Sequence, residues 1–258
     1  MTDLCFAENA EQRCESHVQQ ALSLSSDQSS GRMEALQSLA SLRLSQNRGL
    51  EAIEPMLETF RYMRVGCQAL ASLVGLWVPT TDQDVADKEE NNALELTQVD
   101  AANALPEFEF RCQTAKLLLE CVAVVQEEGE EEKSGGAMED NESNESRLAN
   151  ASIQVLGSLL AENDEVIEIW YLLGCAYASS QQNDLARHYL SRANEMLLRV
   201  QEELQDQHQN NADDDDEELQ CQLQDIETQL GSIQAKLATI QQEDGDDDDD
   251  EDNLMEMS

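Results

Sequence analysis

Residues 165–197, EVIEIWYLLGCAYASSQQNDLARHYLSRANEML, limit the possible folds more than any other part of the chain. Trp170, Leu173, Gly174 and Tyr177 fall at i, i+3, i+4 and i+7, one face of a helix. The polar break SSQQND follows, after which Ala186, Leu190 and Ala193 mark a second helix at i, i+4 and i+7. Gly174 and Ala186 are small enough for two antiparallel helices to approach closely, with Trp170 and Tyr177 filling the space beside them. The spacing makes Trp170 a packing residue rather than a ligand-binding aromatic.

The rest of the chain is compatible with such a unit. Three prolines, eleven glycines, few aromatics and abundant Ala, Leu, Gln and Glu argue for an all-α protein. Residues 167–200 resemble the tetratricopeptide repeat, a 34-residue helix–turn–helix unit. Six of its eight signature positions match, with Leu190 in place of the usual aromatic and Leu198 in place of proline. One solenoid repeat cannot bury its own apolar face, so neighbours are expected. Residues 33–66 place Leu36, Leu39 and Ala40 in a first helix and Ala52 and Met56 in a second, with Pro55 expected to bend or restart it. Residues 7–24 read as an isolated second helix. Residues 105–125 and 147–161 form a further pair, and 63–104 is ambiguous beyond one buried helix at VGCQALASLVGLWV.

The expected organisation is a degenerate repeat solenoid over 1–208 with an acidic disordered insertion at 126–146. An acidic linker at 209–217, a heptad-patterned helix at 218–242 and an acidic disordered tail at 243–258 follow. In the heptad helix Leu219, Leu223, Ile226, Leu230, Ile233, Leu237 and Ile240 alternate spacings of four and three. It is expected to cap the solenoid of a monomer, with a coiled-coil dimer as the alternative.

The formal net charge is −40. Residues 126–146 carry nine acids and one base, and 209–258 eighteen acids and one base, yet the remainder is still acidic. Such a surface repels nucleic acid and anionic membranes and attracts basic proteins. No run approaches the roughly 18–20 apolar residues of a membrane span, and the opening MTDLCFAENAEQRCESH has no signal-peptide pattern. The cytoplasm and nucleus are the expected locations, with the seven cysteines as reduced thiols and the sequons at Asn141, Asn144 and Asn150 unused. There is no phosphate-binding glycine loop, no GxSxG elbow and no zinc or calcium spacing, so neither catalysis nor a metal or other cofactor is expected. His188 reads as a surface residue of a packed helix.

Four stretches in order, DLCFAENAEQRCESHVQQAL, EALQSLASLRLSQNR, LPEFEFRCQTAKLLLE and LLAENDEVIEIWYLLGCAY, ahead of an acidic C-terminal part, resemble the tetratricopeptide assembly chaperones of ribosomal protein four of the large subunit. The resemblance implies capture of a newly made, highly basic ribosomal protein, its protection from aggregation and its delivery to assembling pre-ribosomes. Partner contacts are expected on the concave first-helix face, at Glu34, Gln37 and Ser41, at Glu107 and Glu109, and at Glu168, Tyr171 and Cys175. An acidic histone chaperone shares the charge logic without the resemblance. A generic repeat scaffold dimerised through the heptad helix is a further reading. An adaptor that clamps a C-terminal carboxylate would need Lys, Arg and Asn where Glu168, Tyr171 and Cys175 stand.

Overall fold

A computed structural model describes residues 2–25, 30–76, 100, 103, 105–132, 138–210 and 217–246. Among these the chain is all-helical, with eight α-helices, one 3-10 turn and no strand. It divides into two compact units, 1–164 and 165–258.

The first unit contains α1 (Thr2–Leu24), α2 (Ser30–Ser45), α3 (Leu50–Ala71), α4 (Phe108–Glu132) and α5 (Met138–Glu162). The 3-10 turn Ser72–Val74 closes α3 and ends at Gly75, whose φ of 66° lies in the left-handed region. Helix α2 buries Ala35, Leu36, Leu39 and Ala40. It stops at Asn47, with φ of 57°, where Arg48 N donates to Arg43 O and Asn47 N to Leu44 O. This is the paired closure that ends many helices, and asparagine tolerates the left-handed position better than most side chains.

Pro55 does not restart the second helix of this pair, one of the two outcomes expected from its chemistry. Helix α3 is continuous from Leu50 to Ala71, with Pro55 buried inside it. A proline at this position removes the N–H that would bond the Glu51 carbonyl. Arg43 Nη1 donates to that carbonyl instead, at 2.6 Å, so the lost partner is supplied from α2. The 63–104 segment contributes residues 63–71 to the same long helix, and 77–99 lie outside the described residues.

Helices α4 and α5 run antiparallel. Arg111 near the start of α4 meets Ser158 and Glu162 near the end of α5, while Gln126 donates to Glu145 at the opposite end, at 2.6 Å. Helix therefore covers most of the stretch expected to be a disordered insertion, 126–146. Residues 126–132 continue α4 and 138–146 begin α5, leaving 133–137 outside the described residues. Glutamate is a good helix former, and extending an already packed helix avoids the nucleation cost an isolated acidic segment would face. Residues 148–160 of α5 are buried without interruption, with α3 and α4 as its packing partners in this unit. A Cβ at Gly157 would run into the side chain of Leu76 and come within 2.8 Å of Ala71 Cβ.

The second unit contains α6 (Ile167–Ser179), α7 (Asn183–Asn210) and α8 (Glu217–Asp246). Helix α6 ends as α2 does. Gln181 has φ of 56°, Gln182 N donates to Tyr177 O and Gln181 N to Ala178 O. The two hairpins also bury matching positions: Leu39, Ala40, Ala52 and Met56 in one, Leu173, Gly174, Ala186 and Leu190 in the other. Two hairpins of like spacing and like closure give the chain a repeat-like architecture. Helix α8 packs along α7 and buries Ile226, Leu230, Ile233 and Ile240, with Leu223 and Leu237 half-buried. Its described span exceeds the expected 218–242 helix at both ends, reaching four residues into the expected tail. Residues 211–216 of the linker and 247–258 of the tail lie outside the described residues.

Candidate interaction surface

In the first unit a groove of about 490 Å³ runs between α1, α2 and α4, lined by Cys14, Val18, Gln37, Ser38, Ser41, Leu42, Ser45, Gln113 and Leu117. It brings Gln37 and Ser41 of the expected face together with residues that sequence spacing did not single out. Gln37 is half-buried, and its Nε2 donates to Phe110 O at 3.0 Å and to Thr114 Oγ1 at 2.9 Å. That amide therefore ties α2 to α4 as well as facing the groove. Ser38 Oγ donates to Glu34 O and Ser45 Oγ to Leu42 O, each at 2.7 Å. Both hydroxyls spend their hydrogens on their own helix and retain oxygen lone pairs.

No acidic or basic side chain is among the residues that line this groove. Glu34 is exposed and accepts from Ser30 Oγ at 3.0 Å. Glu107 and Glu109 are exposed at the start of α4, where a carboxylate complements the helix dipole. In the second unit Glu168 is exposed in the first turn of α6. Tyr171 and Cys175 are only half-exposed, because α8 lies against them. Tyr171 Oη and Ser232 Oγ are 3.4 Å apart. Burial raises the pKa of the Tyr171 hydroxyl and of the Cys175 thiol, with Lys236 of α8 acting on both in the lowering direction. The open first-helix face expected around these two residues is thus partly occupied by the heptad helix itself.

Leu173, Gly174, Tyr177, Ala186, Leu190 and Ala193 all lie buried in the second unit. Tyr177 stacks on Tyr189 with ring centroids 5.2 Å apart. Trp170 is half-buried: its ring is 5.7 Å from that of Tyr189, and the Arg192 guanidinium stands 5.7 Å from the Trp170 ring centroid. It lines a groove of about 590 Å³ with Asp184, Arg187, His188, Ser191, Arg192 and Glu195. Arg187 pairs with Asp184 and Arg192 with Glu195 along the same helix, so the charges largely cancel.

Sequence reasoning missed Arg111. Only 2% of its side chain is exposed, and its guanidinium makes four hydrogen bonds. Nε donates to Pro106 O at 3.0 Å, Nη1 to Ser158 Oγ at 2.9 Å, and Nη2 to both carboxylate oxygens of Glu162 at 2.7 Å. A basic residue in an acidic chain reads as a solvated charge, and its partner is 51 residues away. No local pattern signals it.

The thiols divide sharply. Cys14 and Cys221 are exposed, Cys175 is half-buried, and Cys67, Cys112 and Cys121 are buried. Burial pushes Cys67 up to about 11, against the lowering effect of a hydrogen bond with Ser158, and Cys121 up to about 12. Among the described thiols, alkylation at about pH 8 should therefore label Cys14 and Cys221 first and reach Cys67, Cys112 and Cys121 only on unfolding. The pH dependence has a definite sign. Below the ordinary thiol value of 9.0 both folded and unfolded thiols are protonated. Above it the unfolded thiols ionise while Cys67 and Cys121 resist, so stability falls as pH rises toward about 11 and 12. A urea midpoint that stays level or increases between about pH 8.5 and 10.5 would contradict this.

Among the described residues no group of three His, Cys, Asp or Glu is arranged to hold a metal ion, and no helix is long and apolar enough to cross a membrane. Compared with known proteins, the chain matches no family model, no curated protein and no solved structure.

Proposed function

We propose that this chain is a non-enzymatic chaperone that holds a newly made, highly basic ribosomal protein of the large subunit for ribosome assembly, in the cytoplasm and nucleus. The observation that carries the reading is the ordered set of four stretches resembling the assembly chaperones of ribosomal protein four. They lie on a helical scaffold of net charge −40. The paired hairpins support a tetratricopeptide-type solenoid, and exposed Glu34, Glu109 and Glu168 on first helices, with Glu107 just ahead of one, supply carboxylates. Acidic segments would accelerate encounter with a basic partner and shield its Lys and Arg from RNA. This steering acts within a Debye length of about 8 Å at physiological salt.

The test is co-purification of the tagged protein from its own cells at moderate salt with nuclease present. Ribosomal protein four should be recovered alone and near-stoichiometrically. Histones, or a broad set of basic proteins lost in high salt, would instead favour the histone-chaperone or general acidic-buffer reading. With the partner in hand, Glu107→Lys, Glu109→Lys and Glu168→Lys together should weaken binding on the order of ten-fold, mostly through the association rate.

A further inference from the structure

Helix α1 is held differently from the helices it accompanies. Among its described side chains, residues 10–24, none is buried, and the least exposed are Glu15, Val18 and Leu22. The apolar contribution of residues 10–24 to docking is correspondingly small. Charge takes its place. The Glu15 side chain is 16% exposed and lies 2.9 Å from Arg48 Nη1 and 3.8 Å from Arg43 Nε. Two turns further on, near the C-terminal end of α1, Arg32 Nη1 donates to the Leu22 carbonyl at 3.4 Å. Both arginines at Glu15 are shared with Glu51, at 2.6 Å from Arg48 and 3.9 Å from Arg43. Arg43 Nε is itself buried without a hydrogen-bond acceptor. The latch is therefore electrostatic, shared and incompletely satisfied, and the helix it holds forms one wall of the first unit's groove through Cys14 and Val18.

We propose that α1 is a charge-latched strap, which leaves and reseats on α2 as one element, and that cationic side chains of a partner open it by competing for Glu15. Opening would uncover Leu42 and Leu117, the apolar residues that α2 and α4 contribute to the groove. The competing cations are those of the basic partner proposed above, so the second step rests on that reading; the latch does not.

Salt separates this device from an ordinary packed helix. Partly exposed ion pairs are weak individually, and the Debye length contracts from about 10 Å at 0.1 M to about 3 Å at 1 M. Screening also relieves the self-repulsion of a chain of net charge −40. The rest of the first unit should hold or gain protection as salt rises, while α1 loses it.

The experiment is amide hydrogen exchange on the full chain at about 0.05 M and about 0.5 M sodium chloride, reading residues 10–24 against 148–160 of α5. Exchange in α1 relative to α5 should rise about five-fold with salt. Glu15→Gln should be fast at both concentrations and lose the response. Unchanged or slower α1 exchange at high salt, or a Glu15→Gln variant that behaves as wild type, overturns the latch. An oligo-arginine peptide added at low salt should speed α1 exchange selectively. If it leaves α1 unchanged or protects it while salt opens it, opening by cations is overturned. Failure to recover ribosomal protein four in the co-purification would remove the proposed partner without altering any exchange result.

Discussion

Replacing Glu162 with alanine is expected to destabilise the first unit by about 2–3 kcal/mol, and by more than replacing its partner, Arg111→Met. The asymmetry follows from where each charge sits. Arg111 is 2% exposed and Glu162 36% exposed. Removing the carboxylate leaves a guanidinium enclosed with only Ser158 Oγ and the Pro106 carbonyl as acceptors. Breaking a fully buried pair this way costs about 3–5 kcal/mol. The expected figure lies lower for two reasons. Water already reaches Glu162, and that residue ends α5, where its negative charge opposes the helix dipole by about 0.3–1 kcal/mol. Arg111→Met retains much of the buried stem and frees Glu162 to hydrate, while Ser158 Oγ keeps its bond to the Val155 carbonyl. The measurement is the urea concentration at which Cys67, Cys112 and Cys121 become reactive, since all three lie within this unit. If Arg111→Met proves the more damaging, the arginine contributes through its packing and its other two partners rather than through the ion pair.

This pair also marks where the sequence stops being informative. The all-helical class, the helix pairs at 33–66, 105–161 and 167–200, and the terminal heptad helix could be read from local periodicity. Each depends on residues within one or two turns of each other. What the spacing of Leu36, Leu39, Ala40, Ala52 and Met56 did not disclose is how Pro55 is tolerated, because its remedy is Arg43 on the preceding helix. The acidic stretch 126–146 looked incapable of order from composition. Most of it lies in helices whose buried parts are outside it, at 111–125 and 148–160, which composition cannot register. Candidate interaction residues were legible only as exposed positions. That α8 would lie against Tyr171 and Cys175, or that Gln37 would bridge to Phe110 and Thr114, depends on contacts between helices distant in sequence.

The second large effect is expected at Gly174, where the sequence spacing and the helix packing meet in the same contact. An ideal Cβ there would stand 2.5 Å from Leu190 Cγ, 2.7 Å from Cδ2 and 3.1 Å from the Leu190 backbone nitrogen. Leu190 is fully buried, so its side chain has little room to yield. The backbone nitrogen yields only if α6 and α7 separate. Separation would disturb the Tyr177–Tyr189 stack and the Trp170 contact with Tyr189. Gly174→Val should therefore cost about 3 kcal/mol, the upper end of the usual range for overpacking. Gly174→Ala should cost less, because alanine recovers about 1 kcal/mol of helix propensity against its smaller clash. Introducing Gly174→Val into a Leu190→Ala background tests the cause: the side-chain collision is gone but the backbone one remains, so relative to Leu190→Ala alone the valine should still cost more than half of what it costs in wild type. Reactivity of Cys175 in urea reports the second unit directly. A Gly174→Val protein within about 0.5 kcal/mol of wild type, the scale of an ordinary surface change, would show that the hairpin can open at little cost. The small residue at the crossing would then not be what sets the helix separation.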